Sequence, residues 1–412
     1  MKNSIWSFII VLFFSIMITS CNEDDNNIIS NPITTPAELT TALTDIYADS
    51  EAPGFAVSII KDDVVIYQQA FGKADIEGNK VYTNQTTQPI GSISKTFVAA
   101  AMVKAIDQGH FTLETAINDL LPVDINNPKQ PNTVIKVKHL VTHTSGLLDN
   151  YEAYLKGYHI LQGEDLSTTG AQILMDIGAQ QRGRIPLEDF LAAYYLSDGD
   201  LYSMDNFAST TPGTTWNYSN IATSLAAYLV ENATGTPFKE YVTTHILQPL
   251  GMNNTAYDMA NLNASSIAKL YWDKNTPLPN YSNDSYPDGG IITSNEDLAK
   301  YLMDMMKGAK GQSTTLFSAS GYNMLFNALL PDGKLPTGFG DNQGIFWFLN
   351  GQDIKHDGSD PGTTCNLQFN KDGNLGYFLM TNMDASTDEH ETAYFELAQM
   401  VHNAITEFTN NN

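Results

Sequence analysis

The decisive stretch of the sequence is Gly91-Ser92-Ile93-Ser94-Lys95-Thr96-Phe97. The alanine-rich residues that follow predict a helix running to Gln108 and ending at Gly109. Residues three apart on a helix are neighbours, so the Ser92 hydroxyl and the Lys95 amine would face the same side. Burial would lower the pKa of Lys95 and let it accept the serine proton. The Ser92 N–H, at the helix start, would stabilise an oxyanion. The stretch therefore predicts a serine nucleophile activated by lysine.

The same spacing occurs at two other places, Ser58/Lys61 and Ser266/Lys269. The first pair lies in a predicted strand, where residues three apart point to opposite faces. The second pair is compatible with a helix, but no special turn precedes it. The alternative for Ser92 is an ordinary helix N-cap. A Gly-x-Ser-x-Gly nucleophile elbow is absent from the sequence, so an α/β-hydrolase triad has no anchor.

Strand-like runs lie on both sides of this stretch, near the two ends of the chain. They cover residues 55–60, 64–67, 344–349, 364–369 and 375–380. Helices are predicted at about 36–48 and 388–408, and residues 110–284 predict helix and loop without a strand series. The simplest fold is α+β, with one antiparallel sheet built from both chain ends, flanked by helices, and a mostly helical region inserted. A ligand cleft would lie where these parts meet.

We therefore expect a single catalytic domain over residues 37–409. Its α/β part would cover about 37–90 and 285–409, and its helical part about 91–284. The net charge of −25, from 21 Lys and Arg against 46 Asp and Glu, excludes nucleic acid as an expected partner because it repels phosphate backbones. Two cysteines and the absence of an HExxH motif imply no metal, and no cofactor is predicted.

The N-terminus predicts export. Lys2 precedes an apolar run from Ile5 to Ile18, which is too short for a comfortable membrane span and fits a signal peptide over residues 1–20. The following Cys21 completes a stretch that resembles a bacterial lipobox, with an acidic, Asn-rich tether over residues 21–36. The prediction is a membrane-anchored lipoprotein in the envelope of a Gram-negative bacterium, periplasmic or surface-exposed and lipidated at Cys21. The alternative is an ordinary signal peptide.

Further motifs follow in a fixed order. They are Ala52-Pro53-Gly54-Phe55-Ala56-Val57, the Ser92 stretch, His139-Leu140-Val141-Thr142-His143-Thr144-Ser145-Gly146-Leu147, Pro212-Gly213-Thr214-Thr215-Trp216-Asn217-Tyr218-Ser219-Asn220, Pro249-Leu250-Gly251-Met252, Gly289-Gly290-Ile291-Ile292-Thr293-Ser294 and His356-Asp357-Gly358. In this order they resemble the serine β-lactamase-like family, in the branch that holds class C β-lactamases, DD-peptidases, esterases and related penicillin-binding proteins. The resemblance implies a β-lactamase/transpeptidase-like fold.

The resemblance also implies roles for the residues in these motifs. Tyr218 would share the proton work with Lys95, and Asn220 would hold Lys95 or a substrate amide. A free tyrosine is a poor base, so a cationic neighbour would have to lower its pKa. Lys95 charged with Tyr218 ionised, or both neutral, are one coupled system between which the sequence does not choose. His143 is expected to brace a loop rather than to transfer protons.

The third motif would complete the site. His356 and Gly358 would contact substrate, and the N–H of Ser359 would be the second oxyanion donor. Histidine at 356 replaces the lysine usual in β-lactamases, which removes a fixed positive charge and disfavours a dedicated β-lactamase. Residues 151–211 form a long insert that either overhangs the cleft or decorates the surface.

The resulting hypothesis is an exported serine hydrolase that forms an acyl-enzyme on Ser92 and releases it with water. The partner would be a small-molecule or peptide substrate: a small ester, or an amide or peptide bond of the D-amino-acid or cell-wall type. One alternative is a true β-lactamase. Another is a penicillin-binding or sensor module without turnover.

Overall fold

The structure is a computed structural model that describes residues 32–336 and 338–412. The α-helices are α1 (Pro36–Asp49), α2 (Ser94–Asp107), α3 (Val137–Val141), α4 (Tyr151–Tyr154), α5 (Thr169–Asp176), α6 (Leu187–Tyr195), α7 (Asn220–Thr234), α8 (Phe238–Val242), α9 (Asn295–Ala309), α10 (Ala319–Phe326) and α11 (Asp388–Asn410). The strands are β1 (Gly54–Lys61), β2 (Val64–Asp75), β3 (Lys80–Val81), β4 (Thr87–Pro89), β5 (Tyr158–Ile160), β6 (Gln180–Gln181), β7 (Tyr271–Asp273), β8 (Thr276–Pro277), β9 (Tyr281–Asn283), β10 (Ile292–Ser294), β11 (Asn342–Gln343), β12 (Phe348–Asn350), β13 (Asp353–Asp360), β14 (Thr363–Asn370) and β15 (Leu375–Thr381).

The central sheet joins the two ends of the chain. Its eight strands follow the order β11-β12-β13-β14-β15-β1-β2-β3, and each neighbouring pair is antiparallel. The strands β1 and β15 pair with Val57 opposite Leu379, although more than three hundred residues separate them in the chain. The predicted α+β fold with an antiparallel sheet from both chain ends is confirmed.

Helices cover both faces of this sheet. On one face, α1 and α11 pack through Leu43 and Val401 against Val57 of β1. On the other face, Phe378 of β15 belongs to the large core that includes Phe97 of α2. Successive strand residues point to opposite faces, so the apolar runs of β1 and β15 supply both layers. Removal of this apolar surface from water is the main force that holds the layers together.

The helix α2 lies in the middle of the molecule. Every residue from 94 to 103 is buried, and α2 packs against α7 of the helical region. The small side chains of residues 99–101, all alanine, let the neighbouring elements approach closely. The first turn of α2 is thereby fixed between the sheet and the helical region.

Three local predictions need correction. The helix expected from Ser92 begins instead as a 3₁₀ turn over Gly91–Ile93, and α2 starts at Ser94. The strand expected at 344–349 starts only at Phe348, because Phe346 has a left-handed φ of 54° that interrupts extended backbone. The segment Ser266–Lys269 is not helical, because its backbone pairs with Thr87 and with the carbonyl of Ala74.

The region between residues 110 and 284 contains short strands that the sequence did not indicate. The strands β6, β5 and β9 form a three-stranded sheet, and β7 pairs with β8. Each has only two or three residues, too few for a period-two pattern to be recognised. Within residues 32–336 and 338–412, none of the helices is both long and apolar enough to cross a membrane. The predicted signal peptide and Cys21 lie outside the described residues.

Candidate active site

A tight turn presents Ser92 at the start of α2. Gly91 has φ 50°, in the left-handed region that favours glycine. Ser92 is only 5% exposed, and its Oγ accepts a hydrogen bond from Lys95 Nζ at 3.0 Å. The two groups that the spacing predicts to be neighbours therefore lie side by side.

The strand β13 packs directly against this turn. A Cβ added to Gly358 would lie 2.0 Å from the carbonyl oxygen of Ile90 and 2.9 Å from the Ser92 nitrogen. A Cβ added to Gly91 would lie 2.6 Å from the nitrogen of Ser359. Only glycine fits at 358, and the close approach brings the backbone of Ser359 beside the nucleophile's turn. The two backbone nitrogens, of Ser92 and Ser359, therefore lie close together, which an oxyanion hole with these two donors would require.

Lys95 is fully buried. Its Nζ also donates to the backbone carbonyl of Asp288 at 2.8 Å. Burial lowers the pKa of Lys95, and the carboxylates of Asp288, Asp149 and Asp360 partly oppose that shift. A lysine with a lowered pKa gives up its proton more readily, so it can accept one from Ser92.

Tyr218 lies against the same pair. Lys95 Nζ is 5.0 Å from the centre of the Tyr218 ring. Burial raises the pKa of Tyr218 well above 10, and a hydrogen bond with Ser92 acts in the opposite direction. We expected a cationic neighbour to lower the pKa of Tyr218, but in the structure burial raises it. Of the two arrangements left open by the sequence, the burial of both groups favours a neutral phenol beside a neutral amine.

The His143 loop holds the Tyr218 segment in place. His143 has φ 54°, and its carbonyl accepts a hydrogen bond from Asn217 N at 2.8 Å. Its Nδ1 accepts one from Ser219 N at 3.2 Å. The His143 ring lies 4.6 Å from the Tyr218 ring, centre to centre. Burial keeps the pKa of His143 well below 6.5, so the ring is neutral. These contacts fit a bracing residue.

Asn220 lines the same cavity as Ser92. Its Nδ2 donates to Asp149 Oδ2 at 2.8 Å, and its backbone N–H donates to the same oxygen at 2.9 Å. The other oxygen of Asp149 accepts from Ser219 Oγ and Ile221 N. Asp149 thus satisfies free N–H groups at the start of α7 and fixes Asn220. Sequence reasoning missed Asp149, because seventy residues separate it from the segment that it holds.

His356 lies beneath the cavity rather than in its wall. The ring is fully buried, and Nδ1 is 2.7 Å from the carbonyl oxygen of Asp357. The ring packs 5.2 Å from that of Phe348, centre to centre. Burial lowers the pKa of His356 to about 3, so the ring is neutral near pH 7. Its predicted contact with substrate stays a prediction, while Gly358 and Ser359 do line the cavity.

Asp288 is a further buried residue that the sequence reasoning passed over, although it directly precedes the Gly289-Gly290 motif. Its carboxylate accepts hydrogen bonds from Tyr154, Ser224 and Ser285. Burial raises its pKa, with the charge of Lys95 acting in the opposite direction. Its carbonyl holds Lys95 and its carboxylate ties α4 to α7, so Asp288 positions the amine.

The start of the insert reaches the cavity. Tyr154 and Tyr158 line it together with Ser92, and Tyr158 donates to Asp360 Oδ1 at 2.5 Å. The middle of the insert packs in a separate cluster around Leu174, whereas α6 packs in the large core beside α7. Of the two alternatives for residues 151–211, the structure supports a cleft wall for the segment 151–158. The cavity as a whole measures about 390 Å³.

Sequence comparison identifies the family to which these features belong. The Beta-lactamase family model matches residues 39–400. The chain belongs to the β-lactamase family. The resemblance inferred from the ordered motifs is thereby confirmed, and this family of serine hydrolases includes the penicillin-binding-protein-like and esterase relatives below.

Two curated relatives show how diverse the family is. Protein flp of Staphylococcus aureus (strain MW2) is 23% identical over 340 residues, which cover 81% of this chain and 60% of flp. Esterase EstB of Burkholderia gladioli is 28% identical over 207 residues, which cover 49% of this chain and 46% of EstB. The chain thus spans less than two thirds of the length of either relative.

A solved structure supports the fold. The octameric penicillin-binding protein homologue from Pyrococcus abyssi superposes with a TM-score of 0.67 at 23% identity. The match covers 88% of this chain and 77% of that chain. At this identity the likeness concerns the fold, which agrees with the β-lactamase/transpeptidase-like architecture expected from the motifs.

Proposed function

We propose that this β-lactamase family member is a serine hydrolase that acts through an acyl-enzyme on Ser92. The observation that carries the proposal is the 3.0 Å hydrogen bond between Lys95 Nζ and Ser92 Oγ, which lies beside the Tyr218 ring, with Ser92 in the wall of the cavity. A hydroxyl with an adjacent base of lowered pKa is the arrangement that activates a serine. The esterase relative agrees with this reaction class.

The roles follow from the surroundings of each group. Lys95, in its neutral form, takes the Ser92 proton as Oγ bonds to the substrate carbonyl carbon. The N–H groups of Ser92 and Ser359 stabilise the resulting oxyanion. The proton passes to the leaving oxygen or nitrogen through the neutral phenol of Tyr218 as the scissile bond breaks. Water then attacks the acyl carbon and gives a proton to the base. The bond from the acyl carbon to Ser92 Oγ breaks, the base returns the proton to Oγ, and the acid is released.

The substrate we propose is a small ester, or an amide or peptide bond of the D-amino-acid or cell-wall type. A β-lactam antibiotic is disfavoured by charge. Among the described residues that line the cavity, the charged side chains on the Ser92 side of β13 are Asp288 and Asp360, while Lys355 lies on the opposite face of that strand. The buried His356 is neutral. The carboxylate that β-lactams carry would meet like charge here.

The experiment is covalent labelling followed by turnover. The purified protein should react with a fluorophosphonate, and peptide mass analysis should place the adduct on Ser92. A panel of p-nitrophenyl esters and D-aminoacyl p-nitroanilides should include a substrate that is turned over repeatedly, with slow or no hydrolysis of nitrocefin. Absence of labelling at Ser92 would overturn the proposal. A penicillin or ester adduct that forms once and never decays would favour the non-turnover sensor.

We also propose that the protein is exported and anchored through lipid on Cys21, outside the described residues. The support is the apolar run over residues 5–18 followed by the lipobox-like segment. In a Gram-negative host, the full chain should enter the detergent phase of a Triton X-114 partition, and the Cys21→Ser variant should move to the aqueous phase. Equal partition of the two proteins would contradict the anchor.

A further inference from the structure

Two acidic residues line the cavity beside Ser92. Within the described part of the chain these are Asp288 and Asp360, whereas the other lining carboxylates, Asp353, Asp357, Asp388 and Glu391, lie on the side of β13 that faces α11. A surface of one sign raises the local concentration of ligands of the opposite sign and rejects like charge. The negative charge favours a cationic ligand but does not locate it. Its position depends on which of these carboxylates has an oxygen open to the cavity near Ser92.

Asp360 has this geometry. It lies on β13, one residue beyond Ser359, and its Oδ1 accepts a hydrogen bond from Tyr158 at 2.5 Å. Among the described residues, its Oδ2 accepts no further hydrogen bond. A Cβ added to Gly289 would lie 3.0 Å from that Oδ2 and 3.9 Å from the carbonyl carbon of Gly91. Because residue 289 is glycine and has no side chain, Oδ2 of Asp360 is left open next to the turn that carries Ser92.

The neighbouring acid, Asp288, differs from Asp360 in the number of hydrogen bonds that its carboxylate accepts. Asp288 also lines the cavity, but its two oxygens already accept hydrogen bonds from Tyr154, Ser224 and Ser285. Three donors occupy most of the acceptor sites of Asp288, so it has less capacity left for a ligand than Asp360 has. Asp360 is held by a single donor and retains capacity for a second. Tyr158, from the insert, orients it by fixing one oxygen.

We propose that Asp360, oriented by Tyr158, binds a protonated primary amine on the acyl part of the substrate. The inference rests on the proposed hydrolase function and narrows its substrate class to amino-bearing acyl groups. An ammonium group has three donors and no acceptor, so the open oxygen of Asp360 suits it. The acidic cavity wall would attract the same cation.

The test compares two substrate pairs that differ only by an ammonium group. D-alanine p-nitroanilide is matched by isobutyric acid p-nitroanilide, and the p-nitrophenyl ester of 6-aminohexanoic acid by that of heptanoic acid. The first pair carries the amine beside the scissile carbonyl and the second carries it at a distance. The wild-type kcat/KM should favour the charged member of at least one pair by about 10- to 100-fold. The pair that shows the preference locates the amine.

The matched variants are Asp360→Asn and Asp176→Asn. Each removes one carboxylate from the chain, but Asp176 is an exposed residue of α5 that lies away from the cavity. The ratio of charged to neutral kcat/KM should fall about tenfold or more in Asp360→Asn. It should stay at the wild-type value in Asp176→Asn. No wild-type preference for the cation, or an unchanged ratio in Asp360→Asn, would overturn the inference.

A binding measurement separates this inference from the proposed function. The Ser92→Ala protein cannot form an acyl-enzyme, and calorimetric titration with the same pairs measures their Kd. The charged member should bind about tenfold tighter, and Ser92→Ala/Asp360→Asn should lose that difference. If the charged member binds more tightly but the wild type hydrolyses neither member, the proposed hydrolase function is wrong and the amine site stands. If both members are hydrolysed at equal rates, the amine site is wrong and the hydrolase function stands.

The pH profile tests the positioning role of Tyr158. The pKa of Asp360 is raised to about 7, chiefly by burial and also by the Asp288 and Asp384 carboxylates, while the Tyr158 hydrogen bond and the Lys95 charge act in the opposite direction. The cation preference should therefore grow as pH rises through about 7 and Asp360 ionises. Tyr158→Phe removes a group that favours the ionised form, so its preference should appear at higher pH. A preference that appears at lower pH, or a flat profile, contradicts the role.

Discussion

Ser92–Lys95 and Ser266–Lys269 share one spacing and have very different surroundings. The first pair joins the 3₁₀ turn at Ser92 to the first turn of α2, is buried, and has its two side chains hydrogen-bonded at 3.0 Å. In the second pair, Ser266 Oγ donates to the carbonyl of Asn263 at 2.8 Å, and Lys269 lies 3.3 Å from Glu77 with 43% of its side chain exposed. Spacing alone thus creates no site. A continuous helical turn and exclusion of water are also needed.

The third Ser-x-x-Lys pair cannot form a nucleophile–base pair for another reason. Ser58 and Lys61 lie on β1, where Ser58 Oγ donates to Asn295 and Lys61 Nζ donates to the carbonyl of Thr409. The two side chains point to opposite faces of the sheet, as strand geometry requires. The three Ser-x-x-Lys pairs have the same spacing, but only Ser92 and Lys95 lie on a helical turn and are buried together. A nucleophile–base pair therefore needs the right secondary structure and burial as well as the right spacing.

The largest effect is expected from removing the nucleophile. Ser92→Ala should abolish fluorophosphonate labelling and lower kcat on an active p-nitrophenyl ester by about 10⁶-fold, to the background rate. Ser266→Ala is the control with the same spacing, and its kcat should equal the wild-type value. Labelling that persists in Ser92→Ala and disappears in Ser266→Ala would reverse the comparison.

Removing the base should have the next largest effect. Lys95→Met retains the buried stem but has no amine, and kcat should fall by about 10²- to 10⁴-fold. Lys269→Met should leave kcat unchanged, because that amine contacts a surface carboxylate far from the cleft. Circular dichroism of both variants checks the fold. Comparable losses in the two variants would show that burial does not distinguish the lysines.

Packing against the Ser92 turn can be tested with glycine variants. A Cβ in Gly358→Ala would meet the Ile90 carbonyl at 2.0 Å, so the turn or β13 must move. We expect a loss of about 1–3 kcal/mol in unfolding free energy, measured with urea, and a loss of activity. In Gly183→Ala nothing lies within 4 Å of the new atom. That variant should be as stable as the wild type, and equal losses in both would contradict the steric account.

The smallest effect concerns the pH dependence of Lys95. Its neutral form is the base, so kcat/KM should rise as pH rises through its pKa. Burial lowers that pKa, and Asp360 is one of the charges that raise it. With a neutral ester, Asp360→Asn should move the acidic limb of the profile to lower pH, by less than about one unit. A shift to higher pH would show that Asp360 does not act on Lys95 through its charge.

Much of the fold and of the site was predictable from local sequence. The strand runs at both chain ends predicted the antiparallel sheet, and the Gly91–Ser92 turn with its alanine-rich continuation predicted a helix that carries Ser92 and Lys95 on one side. Ordered motifs added Tyr218, Asn220 and Gly358. The 3₁₀ start at Gly91 and the short strands between residues 110 and 284 were not predictable, because tertiary contacts decide such short elements.

The sequence by itself determined which residues are candidates for the chemistry, because a spacing of three and a glycine turn are local properties. Only the tertiary structure decided the environment of each group. Asp149 and Asp288 reach the site from distant segments, Tyr158 orients Asp360, and His356 is buried beneath the cavity. The pKa of a side chain depends on its burial and on charges within a few ångströms, and both are set by chain segments that meet only when the protein folds.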